Sequence, residues 1–310
     1  MSNDSKIDTS SIFSESEVKM PVLFVGHGSP TNAIEDNEFS KSWFDTARAL
    51  PRPKAILCVS AHWETSGTQV TAMETPRTIH DFGGFPRELF ELQYPAPGCP
   101  PLAHLVQQTV QGVTVQFDQD WGLDHGTWSV LHRMYPDADI PVVQLSLDRT
   151  KGPEYHYRLG KELASLRDKE ILIIGSGNMV HNLGLMVWQD KAFDWALEFD
   201  ELMKELILSA DHQAIIDYHK LGQIAQLSIP TNEHFLPLLY VLALQDGADE
   251  VSFFTERVTL GSISMRSLLI GPSGVNYTLT KHNTKSFYNG EIGRYYDSAN
   301  GPPQHRGERS

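Results

Sequence analysis

Four histidines stand where a folded chain could gather them. His27 follows the apolar run Val22-Leu23-Phe24-Val25 in Gly26-His27-Gly28-Ser29-Pro30, and His62 follows Ile56-Leu57-Cys58-Val59 in Ser60-Ala61-His62-Trp63. His181 comes soon after Ile171 to Ile174, in Gly175-Ser176-Gly177-Asn178-Met179-Val180-His181-Asn182, and His125 lies in Asp124-His125-Gly126-Thr127-Trp128. Neutral imidazole is the commonest protein ligand for zinc and non-haem iron, and imidazole is the usual side chain for moving protons near neutral pH. Glycines beside His27 remove bulk and tolerate unusual backbone angles, so that a metal or substrate can approach closely. Taken singly, a histidine so placed is more often a hydrogen-bonded loop or core residue than a ligand. Two of them at strand ends beside small residues move the balance toward a shared site.

Other chemistries are poorly served. The sequence holds no His-Glu-x-x-His, no Cys-x-x-Cys and no histidine pair spaced for one helix face. Gly175-Ser176-Gly177 lacks a third glycine in register for a dinucleotide loop and reads as a tight turn. Ser29 and Ser60 lie near histidines, but neither occupies a Gly-x-Ser-x-Gly elbow, so their expected role is hydrogen bonding within loops.

The elements that must carry these residues are short apolar runs at Val22 to Val25, Ala55 to Val59, Val113 to Phe117, Pro141 to Leu147, Ile171 to Ile174, Val251 to Phe254 and Ser264 to Ile270, which read as strands. Helical patterns fall between them at about 38 to 49, 101 to 111, 154 to 167 and 191 to 208. The alternation, with runs apolar on both faces, predicts a single α/β domain whose mainly parallel or mixed central sheet is flanked by helices. In such sheets ligands sit beyond the carboxyl ends of the strands, which is where His27 and His62 fall. After Pro230 a further helix is expected, and Pro237 fits only its first turn, so His234 stands at or just before a helix N-terminus. The domain is expected over 20–274, between a disordered tail at 1–19 and a loosely ordered one at 275–310.

Composition narrows the class. Of 310 residues, 40% are hydrophobic and 21% charged, enough apolar surface for a sizeable core. A net charge of -14 disfavours nucleic acid or an anionic membrane as partner, because both need clustered Lys and Arg. Cys58 and Cys99 form neither a disulfide framework nor a thiolate metal site, which suits a cytoplasmic location. No run of about 18 apolar residues marks a membrane span, and no heptad pattern marks an interface, so a monomer is expected.

The ordered set of motifs resembles the class III extradiol ring-cleavage dioxygenases, in their DOPA 4,5-dioxygenase branch. The histidine segments above carry the resemblance, together with Thr78-Ile79-His80-Asp81-Phe82-Gly83-Gly84-Phe85-Pro86, Tyr94-Pro95-Ala96-Pro97-Gly98 and Glu233-His234-Phe235-Leu236-Pro237-Leu238. These stretches run from about residue 20 to 272. The resemblance implies His27, His62 and His234 as metal ligands, His181 and His125 as acid/base residues (His181 alternatively a fourth ligand), and His80, Phe82 and Tyr94 as substrate contacts. Glu233 stands next to His234, and spacing leaves open which of the two faces the metal.

The implied reaction opens the ring of a catechol such as L-DOPA with dioxygen, the catechol being bound through both oxygens to one divalent metal ion per chain, zinc or iron(II). Zinc is redox-inert and cannot pass electrons to oxygen. A zinc-dependent hydrolase or lyase is therefore the alternative if zinc is the working metal, and a non-catalytic binding protein of the same fold is a third reading.

Overall fold

The computed structural model describes residues 12–275 together with Tyr277 and Leu279. Among the described residues ten strands form: β1 (Val22–Gly26), β2 (Ala55–Thr65), β3 (Thr68–Thr71), β4 (Val115–Asp118), β5 (Val142–Asp148), β6 (Ile171–Gly177), β7 (Asp249–Phe254), β8 (Val258–Thr259), β9 (Ile263–Ser264) and β10 (Ser267–Pro272). Eight of them make one sheet in the order β4-β3-β5-β2-β6-β1-β10-β7, and β8 and β9 pair separately. The four central strands β5, β2, β6 and β1 are parallel throughout, whereas β10, β7 and the β3–β5 contact are antiparallel. The sheet is thus mixed, with helices on both faces of one domain.

Alternation along each central strand explains the continuous apolar runs. Val22, Phe24, Leu57 and Ile173 enter one core, with Leu102, Leu159, Phe199 and Leu239 from helices Pro100–Thr109, Pro153–Glu162, Asp194–Leu208 and Leu236–Ala243. Their neighbours Leu23, Val25, Ile56, Cys58, Leu172 and Ile174 enter a second core, against Trp43 of helix Glu38–Ala49 and Trp128 of helix His125–Met134. Helix Glu38–Ala49 starts at a capping box in which Asn37 accepts from the Ser40 N–H and the Ser40 hydroxyl accepts from the Asn37 N–H.

Several expectations change. The run at Ala55 to Val59 continues as strand to Thr65, through a register shift between Val59 and Glu64, because polar residues beyond Val59 break the apolar pattern but not the pairing. Gly175-Ser176-Gly177 is the end of β6 and not a tight turn. The glycines serve packing: a Cβ on Gly175 would lie 2.4 Å from the Pro237 carbonyl oxygen and one on Gly177 only 2.1 Å from that of His234. The run from Ser264 to Ile270 divides between β9 and β10. Helix His125–Met134, absent from the sequence reading, is buried on nearly every side and so lacks the two-faced periodicity that announces a surface helix. Residues 12–19, placed in the loose N-terminal tail, include the buried Phe13, and the Ser16 N–H donates to the Asp168 carbonyl at 2.7 Å. The remainder of that tail, and nearly all of 275–310, lie outside the described residues. Cys58 and Cys99 are both free and buried, and among the described residues no helix is long and apolar enough to cross a membrane.

One buried ion pair ties the chain ends of the domain together. The Arg167 guanidinium donates to both Asp249 oxygens at 2.6 and 2.9 Å, to the Met20 carbonyl at 2.8 Å and to the Leu244 carbonyl at 2.7 Å. Its side chain is 0% exposed and that of Asp249 1%. Removing one partner strands a buried charge, whereas removing both does not. Arg167→Ala is therefore expected to lower the unfolding free energy by about 3–5 kcal/mol, and the pair Arg167→Met with Asp249→Leu by much less, as read from urea denaturation. Equal losses would disprove the account. Gly177→Ala is expected to lose about 1–3 kcal/mol in the same assay through overpacking against His234, while Gly67→Ala, where a Cβ meets nothing, carries only its backbone penalty.

Candidate active site

The carboxyl ends of β1, β6 and β2 lie side by side, and the expected histidines collect there. His27 is the first residue after β1, and its N–H donates to the Gly177 carbonyl at 3.1 Å, extending the β1–β6 ladder by one step. Gly28 then turns the chain at φ +59, a conformation that favours glycine, and any Cβ there would meet the Met265 sulfur at 2.4 Å. Ser29 caps the following turn by accepting from the Thr31 N–H. His62 lies within β2, in the stretch where register against β5 shifts, and such an irregularity re-aims side chains. His234 precedes helix Leu236–Ala243, whose first turn takes Pro237 as expected, and its carbonyl accepts from the Asn178 N–H at 2.8 Å. His125 opens helix His125–Met134 behind its cap Asp124. His181 follows β6, with its N–H donated to the Ser228 carbonyl.

Five rings meet as a result. His27 Nε2 and His62 Nε2 are 3.1 Å apart, and one ring nitrogen from each of His27, His62 and His234 falls within 4.8 Å of the others. His125 packs on His62 with ring centroids 3.9 Å apart, and His181 stacks on His234 at 3.5 Å with planes 9° apart.

Hydrogen bonds behind the rings decide which nitrogen each presents. The Ser176 hydroxyl donates to the Gly126 carbonyl at 2.6 Å, so toward His27 Nδ1, 3.0 Å away, it can only accept. His27 consequently holds its proton on Nδ1 and leaves Nε2 bare. His62 turns Nδ1 toward an Asp81 carboxylate oxygen at 3.5 Å, and His234 donates from Nδ1 to Glu233 at 3.1 Å. All three therefore offer Nε2. Burial, and after it the neighbouring imidazoles, hold His27 and His234 well below the ordinary histidine range; burial and then His125 do the same for His62 against the opposing pull of Asp81. Neutral rings with inward lone pairs are what a cation requires.

The donor set fits a metal ion. Two bare nitrogens 3.1 Å apart repel unless a positive charge lies between them, and metal–nitrogen bonds of about 2.0–2.1 Å at tetrahedral angles put neighbouring ligand nitrogens roughly 3.3 Å apart. Two overlapping groups, His62 with Asp81 and His125, and His181 with Glu233 and His234, also bring donor atoms together. In each, however, a carboxylate is already engaged by a histidine N–H, Asp81 by His125 and Glu233 by His234. Glu233, whose relation to the site spacing leaves open, backs His234 and also accepts from the Thr231 hydroxyl at 3.0 Å.

The remaining expected residues separate. Phe82 stands edge-on to His125 at 5.5 Å, within an aromatic group that includes Phe85 and Phe90. His80 lies beside Phe82 with Nε2 2.9 Å from the Leu92 carbonyl. Tyr94 is placed elsewhere: it is 1% exposed, its hydroxyl donates to the Tyr135 carbonyl, and its ring faces His132. Sequence reasoning passed over Asp81, Ser176 and Asp124. Asp81 accepts from the His125 N–H and Nδ1–H, both at 3.0 Å; burial pushes its carboxyl up, but the bonds from His125 and the electrostatic pull of the His125 and His62 rings outweigh this and leave it at about 2. The cue available was its place inside His80-Asp81-Phe82, between two residues already singled out.

Comparison with known proteins identifies the family. The model of the catalytic LigB subunit of aromatic ring-opening dioxygenase matches residues 20–266. A 4,5-DOPA dioxygenase extradiol of Escherichia coli K12 is 48% identical over 264 residues, spanning 83% of this chain and 96% of the relative. One from Beta vulgaris is 39% identical over 232 residues, spanning 73% and 86%. The crystal structure of an uncharacterized protein from Escherichia coli K12 superposes with a TM-score of 0.72 at 43% identity, covering 81% of this chain and all (100%) of the other. With its family model spanning every strand of the sheet except β10, and every clustered histidine, the chain belongs to the LigB family of aromatic ring-opening dioxygenases and is an extradiol ring-cleavage enzyme.

Proposed function

We propose that the protein opens the ring of L-DOPA at one iron(II) held by His27, His62 and His234. The observation that carries the ligand set is the convergence of three neutral imidazoles whose Nδ1 positions are each turned to a partner behind the ring. The names of the Escherichia coli and Beta vulgaris relatives support the substrate. Iron is preferred to zinc because ring opening moves electrons to dioxygen, which zinc cannot mediate. When bound, the ion supplies a Lewis acid that holds both catechol oxygens and a redox path to dioxygen.

The chain's own residues supply orientation and proton transfer. Three protein ligands leave coordination positions for the substrate. His125 keeps its Nδ1 proton on Asp81 and has Nε2 free to take a proton from a catechol hydroxyl. His181, held down to about pKa 4 by burial and then by His125, is a neutral ring stacked on His234 and able to receive a proton at the opposite side of the cluster. Phe82, edge-on to His125, and His80 beside it offer an aromatic wall for the substrate ring. Tyr94 is assigned to packing.

The decisive experiment strips metal anaerobically, reloads iron(II), zinc or nothing, and follows oxygen uptake with L-DOPA and plain catechol. Iron-dependent uptake with a yellow ring-opened product, and a higher kcat/KM for L-DOPA, is the expected result; uptake with zinc alone, or with no metal, would overturn the iron assignment, and preference for plain catechol the substrate. Alanine at His27, His62 or His234 should each abolish stoichiometric metal binding. His125→Ala should instead retain the ion and lose about 10²–10⁴-fold in kcat, the range for a missing acid/base group.

A further inference from the structure

Asp81 touches two rings that the proposed reaction uses differently. Its Oδ1 accepts from the His125 N–H and from His125 Nδ1–H, each at 3.0 Å, while its Oδ2 lies 3.5 Å from His62 Nδ1. The segment carrying it is held in place by Ile79, whose N–H donates to the Leu123 carbonyl at 2.7 Å, and by the Thr78–Leu123 bridge. The Asp81 side chain is 18% exposed and the two imidazoles are 3.9 Å apart, so one carboxylate spans both.

We infer that Asp81 is a positioning residue that sets the proton on both His62 and His125, so that one carboxylate orients a metal ligand and the acid/base ring together. The inference rests on the ligand set proposed above. An ionised carboxylate has only acceptors, so each ring facing it must turn Nδ1–H outward and leave Nε2 bare. At His62 the bare Nε2 is the atom 3.1 Å from His27 Nε2; at His125 it is the lone pair that takes a proton. Asp81 thereby ties the two duties to one group: His125 cannot adopt the other tautomer without losing its hydrogen bond, nor His62 without turning a lone pair toward the carboxylate 3.5 Å away.

Replacement by asparagine separates the two duties with almost no change in shape. An amide has one accepting oxygen and one donating nitrogen. Two donors from His125 converge on the Oδ1 position, so the amide oxygen stays there and the NH₂ faces His62 Nδ1. His62 must then accept at Nδ1 and carry its proton on Nε2, where the metal would bind. Loss of such a partner behind a ligating histidine lowers metal affinity about 10–100-fold.

The test measures zinc affinity by competition with a chromophoric chelator in wild type, Asp81→Asn, His125→Ala and His62→Ala. Asp81→Asn is expected to bind about 10–100-fold more weakly, His125→Ala within about threefold of wild type, and His62→Ala not measurably. Long-range ¹H–¹⁵N spectra of histidine-labelled, zinc-loaded wild type should show His62 protonated at Nδ1 and bound through Nε2. The metal-free Asp81→Asn protein should show the proton moved to Nε2. Wild-type affinity in Asp81→Asn, or Nδ1 ligation by His62 in the wild-type spectrum, overturns the inference, and the spectrum decides even if the variant fails to fold. Loss of metal in His125→Ala as severe as in Asp81→Asn also overturns it, by making both residues ligands. Unchanged affinity in His62→Ala would instead overturn the ligand set on which the inference stands.

Discussion

Three consecutive residues at the start of one buried helix hold the site together. Asp124 caps helix His125–Met134 by accepting from the Thr127 N–H, and the same buried carboxylate accepts from the Ser60 hydroxyl at 2.7 Å and the Gln144 amide at 2.6 Å. It thereby fixes β2 two residues before His62 and β5 beside it. His125 grips Asp81, and the Gly126 carbonyl takes the Ser176 proton that makes Ser176 an acceptor for His27. Gly126 has no alternative there: a Cβ would lie 2.6 Å from the Ser60 oxygen and 2.9 Å from the His62 ring. Burial raises the Asp124 carboxyl, chiefly by removing water, with the Asp81 charge adding to it; the Gln144 and Ser60 bonds work in the opposite direction. A buried carboxylate costs several kcal/mol unless it is hydrogen-bonded, so the group that organises the site is also one the fold must keep satisfied.

The sheet supplies the second constraint. Parallel strands all end on the same side, so β1, β2 and β6 bring His27, His62 and Ser176 to one edge without any long connection reaching across. His234 comes from a different direction, on the loop before helix Leu236–Ala243, and reaches the same place because β6 presents glycine where the loop and helix cross it. With the Pro237 and His234 carbonyls at the positions a Cβ would occupy, alanine at 175 or 177 would push the helix away and carry His234 with it. A pattern that looks like a loop signature in sequence is, in space, a groove for close backbone approach.

Much of this was legible because strand cores and prolines speak locally. Uninterrupted apolar runs marked β1 and the start of β6, and Pro237 alone placed His234 at a helix start. What stayed hidden depends on partners distant in the chain. Helix His125–Met134 has no polar face to reveal it, since both its sides are covered. The far half of β2 reads as polar because it lines the site, and β3 is a strand of four residues, too short to show alternation. The roles of Asp81 and Ser176 are set by His125, 44 residues from Asp81, and by Gly126, 50 residues from Ser176, a separation no local pattern encodes. Tyr94 shows the opposite failure: it sits in a segment that carries the family resemblance, yet packing takes both its ring and its hydroxyl.

Charge then links the architecture to the substrate. As proposed ligands, three neutral imidazoles would donate electron pairs to a divalent ion without bringing negative charge into contact with it, while the carboxylates of Asp81 and Glu233 are spent behind the rings on hydrogen bonds from histidine. A site so built would keep the ion's positive charge for whatever binds next, which would favour a ligand that becomes anionic on binding and can offer two oxygens at once. Catechol meets both conditions, since loss of a hydroxyl proton supplies the charge and the adjacent oxygen completes the chelate. With Glu233 as a ligand in place of His234, part of that charge would already be neutralised and the gain on deprotonating the substrate would be smaller. The proposed three-histidine arrangement, with its anions held one layer back, would thus press harder for catechol ionisation than one containing a carboxylate, and the His125 ring lies beside it, 3.9 Å from that of His62.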